Sequence, residues 1–267
     1  MQVRGQTTRH SLQIILLISF AVPLRFALGQ AAPPPSLAEI LLRLEGNLNH
    51  YDKDVPNFFC NEHVVSSLSY AKKHQSTVTD SVFRVVRTSS GTLTESHEIQ
   101  AVNGTPAKGE HVGGPTSVSG VFTGGLDTVS LSQNACMSYT LEPIDPGHPN
   151  QPYVIQFTSL PNTQRRPECV LREDGAGRVF VDPATMQVTR MELRAPNHVI
   201  NPAEAGLWHI SIDYAPVLLV GKTFWMPSTL TSTATPSGVY TPIVYSFSAR
   251  YSDYHKLDVN SHIVPIQ

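Results

Sequence analysis

The chain has 267 residues, 19 Lys and Arg against 21 Asp and Glu, and a charged fraction of only 15%. An acidic balance without a basic cluster does not suit a phosphate backbone, so no nucleic-acid partner is expected. With 21 Pro and 17 Gly and no repeat or heptad pattern, many short strands joined by turns are expected, not a solenoid or coiled coil.

At the N-terminus, Arg4, Arg9 and His10 precede the apolar run LQIILLISFAVPL, which leads into RFALGQ with Ala27 and Gly29 at the −3 and −1 positions of a cleavage site. The run is short for a membrane span and Pro23 interrupts it, so residues 1–29 read as a cleaved signal peptide. The expected location is periplasmic or secreted, with no membrane span after cleavage. Removing residues 1–29 takes out three Arg and no acid, leaving 16 basic and 21 acidic side chains, a net charge of −5. Residues 30–35 form a Pro-rich linker, and residues 36–267 suffice for one large domain.

One helix is expected, from Ser36 to near Asn49 and ending before Pro56. Ser36 is placed as N-cap with Glu39 at N3, and Leu37, Ile40, Leu41, Leu44 and Leu48 share a face. Beyond it the pattern is strand. FFCNEHVVSSLSY and STVTDSVFRVVRT flank a polar AKKHQ, and GTLTESHEIQAVNGTP ends at an Asn-Gly turn. Residues 103–125 are Gly-rich and read as a mobile loop or flap that lacks phosphate-loop spacing.

In GRVFVDPATMQVTRMELRAP, Asp182-Pro183 marks a turn. Val179 and Val181, then Met191 and Leu193, supply the apolar face, and Arg190 and Glu192 fall on the other as a solvated pair. Trp208, Ile210, Ile212 and Tyr214 alternate with His209, Ser211 and Asp213. Phe224, Met226 and Leu230 alternate likewise, as do Tyr245, Phe247, Ala249 and Tyr251. One apolar and one polar face belong to an antiparallel sheet covered on one side. The expected fold is mainly β (α+β): a large curved antiparallel sheet covered by the N-terminal helix and loops.

The order of PNFFCNEHV after an amphipathic helix, EIQAVNGTP, GVF in a Gly-rich loop, GRVFVDPATMQVTRMEL, SIDYAPV with FWMPS, and YSDYHKL resembles uncharacterised exported bacterial proteins related to the LolA/LolB/RseB-type half-barrels. The resemblance covers most of the chain and implies a half-barrel with helices plugging its open side. It also implies an apolar cavity for lipoprotein acyl chains or other lipid-like groups. No acyl-carrier arginine aligns with a residue of this sequence, so the resemblance does not transfer a cargo.

Reactive residue types supply no competing signature. The eleven His form no H-E-x-x-H motif, and His63, His97, His209 and His255 read as exposed or singly bonded imidazoles. No G-x-S-x-G elbow is present, so Ser119 reads as a loop residue. Glu173, Asp174 and Asp182 suit turns better than acid–base pairs. Cys60, beside Phe58, Phe59 and Glu62, reads as buried. For an exported chain one disulfide is expected, with Cys136–Cys169 favoured and three unpaired thiols the alternative; no zinc spacing occurs. No catalytic residue, metal or cofactor is assigned.

Leu41, Leu44, Trp208, Ile210, Ile212, Phe224, Met226, Tyr245 and Phe247 are candidate walls of a cavity between sheet and helix, because a curved sheet encloses more apolar surface than one short helix covers. The expected function is non-enzymatic binding of a lipid or lipoprotein acyl chain. A cell-envelope interaction or sensing module with a solid core is the alternative, and an unrecognised hydrolase ranks below both.

Overall fold

Ser36 opens the helix as the spacing predicts. Its Oγ accepts the Glu39 N–H at 3.3 Å while the Glu39 carboxylate accepts the Ser36 N–H at 2.7 Å, a reciprocal capping box. In this computed structural model the described residues are 34–107, 118–122, 126–145, 147–148, 150–161, 166–201, 204–238 and 243–258. The signal-peptide reading of residues 1–29, the start of the linker, and residues 108–117 and 123–125 of the Gly-rich segment lie outside them. Helix α1 runs Leu37–Asp54, about a turn beyond the expected end near Asn49. Tyr51 continues its apolar face and is buried edge-on to Phe224, with ring centroids 6.3 Å apart. That packing carries the helix on until Val55, which turns extended ahead of Pro56.

Eleven strands form one sheet: β1 Phe58–Tyr70, β2 Lys73–Arg87, β3 Leu93–Val102, β4 Thr105–Pro106, β5 Met137–Leu141, β6 Tyr153–Ser159, β7 Ala176–Val181, β8 Val188–Asn201, β9 Glu204–Leu219, β10 Lys222–Pro236 and β11 Ile243–Lys256. Their order is β4-β3-β2-β1-β11-β10-β9-β8-β7-β6-β5, every neighbouring pair is antiparallel, and the ends do not meet. The architecture is the curved open sheet with a covering helix that the alternation predicts.

Tight turns set the register. Asn103-Gly104 (φ 48° and 76°) and Val220-Gly221 (φ 51° and 75°) occupy the left-handed region that two-residue hairpins require. Of the polar AKKHQ stretch only Ala71 and Lys72 leave the strands, since Tyr70 pairs with Lys73. Polar side chains are tolerated there because that end of the β1–β2 arm is solvated. At Asp182, Oδ1 accepts the N–H groups of Ala184 and Thr185 and the Thr185 hydroxyl. These bonds, led by those from Thr185, hold the Asp182 carboxyl below its ordinary range.

The apolar rows and α1 share one core, in which Phe58, Ile155, Phe157, Val179, Met226 and Leu230 are almost wholly excluded from water. Asn47 ties α1 to the β7–β8 turn through a bond to the Met186 carbonyl. A Cys136–Cys169 disulfide, with Cα atoms 5.6 Å apart, joins the residue before β5 to the β6–β7 connection, and Cys60 is a buried free thiol.

Candidate functional site: a cleft on the apolar face

The inner face of β9–β11 is uneven because β10 contributes small side chains between large ones. Ala234 is the register partner of both Trp208 and Tyr245, and Ser232 is the partner of both Ile210 and Phe247. With neighbouring strands about 4.8 Å apart, each small residue is the floor of a slot whose walls stand roughly 10 Å apart. The slot opens into two adjoining spaces. One, of about 590 Å³, is walled by Met191, Leu193, Ile210 and Ile212 and capped by Val121 and Leu171. The other, of about 560 Å³, lies over Ser232 and Ala234 beside Tyr245 and Phe247. Val118, Ser119, His198 and Trp208 border both.

The boundary between them is built from an aromatic pair. The His198 ring stacks on Trp208 with centroids 4.2 Å apart and planes 21° from parallel. His198 Nδ1 lies 2.9 and 3.0 Å from the two Glu173 carboxylate oxygens, and Trp208 Nε1 donates to Ser232 Oγ at 2.7 Å. His198 Nδ1, the Glu173 carboxylate, Trp208 Nε1 and Ser232 Oγ are thereby matched, and the remaining walls are mainly hydrocarbon. Val199 and Val170, large apolar residues left exposed, extend that character to the rim.

The roof is pinned from β3. Glu95 accepts the backbone N–H groups of Gly120 at 2.6 Å and Phe122 at 2.8 Å. The Phe122 ring enters an aromatic cluster, 5.0 Å from Phe83, 5.2 Å from Tyr251 and 5.5 Å from Phe58. The described part of the segment expected to form a mobile flap is thus anchored at residues 118–122.

Five of the nine candidate wall residues, Trp208, Ile210, Ile212, Tyr245 and Phe247, border this cleft. Leu41, Leu44, Phe224 and Met226 lie in the packed region under α1, where a space bordered by Leu44 and Phe224 measures only about 30 Å³. The helix stripe fills that end of the sheet, and the open volume lies beside the helix. Sequence reasoning did not select Glu173, His198, Ser232 or Ala234. Ser232 and Ala234 carried a usable signal, because they continue the alternation of Leu230 with small residues where large ones would complete a core.

Other candidates behave as structural groups. Glu62 is fully buried, 3.2 Å from His97 Nδ1, and burial pushes its carboxyl up against the opposing pull of His97. Burial, with nearby Glu62, also raises the Cys60 thiol far above its ordinary value, which makes it a poor nucleophile. His63 pairs with exposed Asp80. No group of three or more His, Cys, Asp or Glu suited to a metal occurs among the described residues.

No family model matches the chain, and no curated protein matches it. Three solved structures are similar to it, each at 10% identity. A LolA superfamily protein from Nitrosomonas europaea is matched over 82% of this chain and 94% of that one, with a TM-score of 0.36. A DUF1329 family protein from Desulfovibrio piger is matched over 81% and 91%, with a TM-score of 0.40. A domain named for outer membrane lipoprotein sorting, from Vibrio parahaemolyticus, is matched over 80% and 90%, with a TM-score of 0.39. The first of them carries the name of the superfamily that the order of motifs resembles. At these values the functional reading rests on this chain's own residues.

Proposed function

We propose that this chain is an exported, non-enzymatic binding protein that holds an apolar ligand, a lipid or lipoprotein acyl chain, in the cleft beside α1. The observation that supports this most is the pair of adjoining apolar spaces of about 590 and 560 Å³, the second over the Ser232–Ala234 floor. Each falls in the range of small-molecule sites, about 300–1,000 Å³. About ten methylenes withdrawn from water contribute on the order of 8 kcal/mol before the costs of immobilisation, enough for a reversible carrier. Glu173 occupies His198 Nδ1, and among the described residues no serine or cysteine is hydrogen-bonded to that ring. Binding is therefore better supported than acyl transfer.

Native mass spectrometry and solvent extraction of the purified mature protein test the reading. A co-purifying lipid-like mass that is lost when Ala234 is replaced by Phe is the expected result. A protein that carries no such mass and takes up no added fatty acid would refute it. Export is checked separately by N-terminal sequencing, which is expected to find Gln30 first.

A further inference from the structure

The face of the sheet opposite the cleft carries a second concavity, a trough of about 300 Å³ across β7–β10. Two rows of polar side chains cross it on neighbouring strands. Arg178 pairs in register with Glu192, and Glu192 with Ser211; one step along, Arg194 pairs with His209, and His209 with Thr233.

The hydrogen-bonding capacity of these groups is unequal. Glu192 Oε2 accepts from Arg178 Nη2 at 2.7 Å and Nε at 3.2 Å, and Oε1 accepts from Arg190 Nε at 2.9 Å. Both carboxylate oxygens are thus committed to cations. Partial burial works against ionisation of Glu192, yet the two arginines hold its carboxyl below the ordinary range. Arg194 differs: among the described residues neither it nor His209 has a side-chain hydrogen bond or ion pair. Ser211 Oγ, on the same face, is shielded from solvent and has no hydrogen-bond partner among the described residues. What the trough leaves open to a ligand is donors: the guanidinium N–H groups of Arg194 and the hydroxyl of Thr233. In a chain that is acidic overall, Arg178 and Arg190 are paired here with Glu192 and Asp213, whereas Arg194 has no carboxylate partner among the described residues.

A donor-rich site whose one lining carboxylate is already saturated fits a group that only accepts and carries negative charge. We propose that this trough is an oxyanion site, with Arg194 its charged donor, that takes a phosphate group. Guanidinium suits phosphate because its planar fork matches two oxygens at once. The phosphate could be free or belong to the headgroup of an anionic lipid, and the chemistry at Arg194 is the same for both. The site lies on the face opposite the cleft, so its success or failure is independent of apolar-ligand binding there.

Two measurements on the full mature chain decide it. Inorganic phosphate is titrated by calorimetry or amide NMR, and sedimentation is compared with phosphatidylglycerol and phosphatidylcholine vesicles. Saturable binding of either anionic form, weakened at least tenfold by Arg194→Gln and unchanged by Arg250→Gln elsewhere on that face, supports the site. Phosphate binding without vesicle binding assigns a free ligand; binding to phosphatidylglycerol but not phosphatidylcholine assigns a headgroup. Absence of both, or equal affinity in Arg194→Gln with an unchanged melting temperature, would overturn it. Uptake of brominated fatty acid by Arg194→Gln, expected at the wild-type level, keeps this outcome apart from the fate of the cleft.

Discussion

Glu95 on β3 accepts the backbone N–H of Phe122 at 2.8 Å, so one carboxylate fixes the residue whose ring closes the aromatic cluster beside the cleft. The same carboxylate takes the Gly120 N–H at 2.6 Å. Hydrogen bonds to a charged acceptor contribute about 1.5–3 kcal/mol each in mutational series, and removing the acceptor leaves two amides without it. Glu95→Ala is expected to lower stability by about 2–4 kcal/mol in urea titration. Amide exchange at residues 120–122 should rise more than exchange in β9. Unchanged exchange at 120–122 would mean that the roof is held by other contacts.

The Cys136–Cys169 bond spans 33 positions and ties the edge strand β5 to the connection that carries Glu173. Closing a loop of that size restricts the unfolded chain by about 3–4 kcal/mol on the chain-entropy account. The double substitution Cys136→Ser, Cys169→Ser should reduce the denaturation midpoint accordingly. It should also weaken apolar-ligand binding through displacement of Leu171 and Glu173. Equal stability with and without reductant would contradict this.

Asp127 gives the fold a pH dependence of definite sign. Burial, then the nearby Asp52 and Glu45 carboxylates, push its pKa from 3.8 up to about 6. A carboxyl raised in the folded state favours folding most below its unfolded pKa, and that contribution is lost as pH rises through about 6. Asp127→Asn should therefore match the wild type near pH 4 and exceed it near pH 7.5. The gain should be on the order of 2 kcal/mol, after discounting the part of the side chain that stays in water. Thermal melts at the two pH values check it, and a variant less stable at pH 7.5 would reverse the assignment.

What could be read from the sequence was local or periodic. The capping box at Ser36 and Glu39, the Asn103-Gly104 and Asp182-Pro183 turns, and the alternating rows of β9 and β11 each depend on neighbours within a few positions. The placement of Arg190 and Glu192 on the solvated face followed from the same alternation, and the structure adds Arg178 and Asp213 to that ion-pair row. The end of α1 was missed because Tyr51 is held by Phe224, a contact with no local signal. Glu173 read as a turn residue because its partner His198 stands 25 positions away, on β8. The position of the cleft depends on where α1 stops filling the sheet, which its own periodicity does not state.

The cleft itself is tested most directly through Trp208, which borders both spaces and is one of only two tryptophans. With Trp225→Phe removing the other, fatty acids brominated along the chain should quench Trp208 emission saturably at micromolar concentration. Adding Ala234→Phe, which fills the floor of the slot, should abolish that quenching while the fold persists by circular dichroism. Quenching that never saturates, or that survives Ala234→Phe unchanged, would contradict an apolar ligand seated over Ser232 and Ala234.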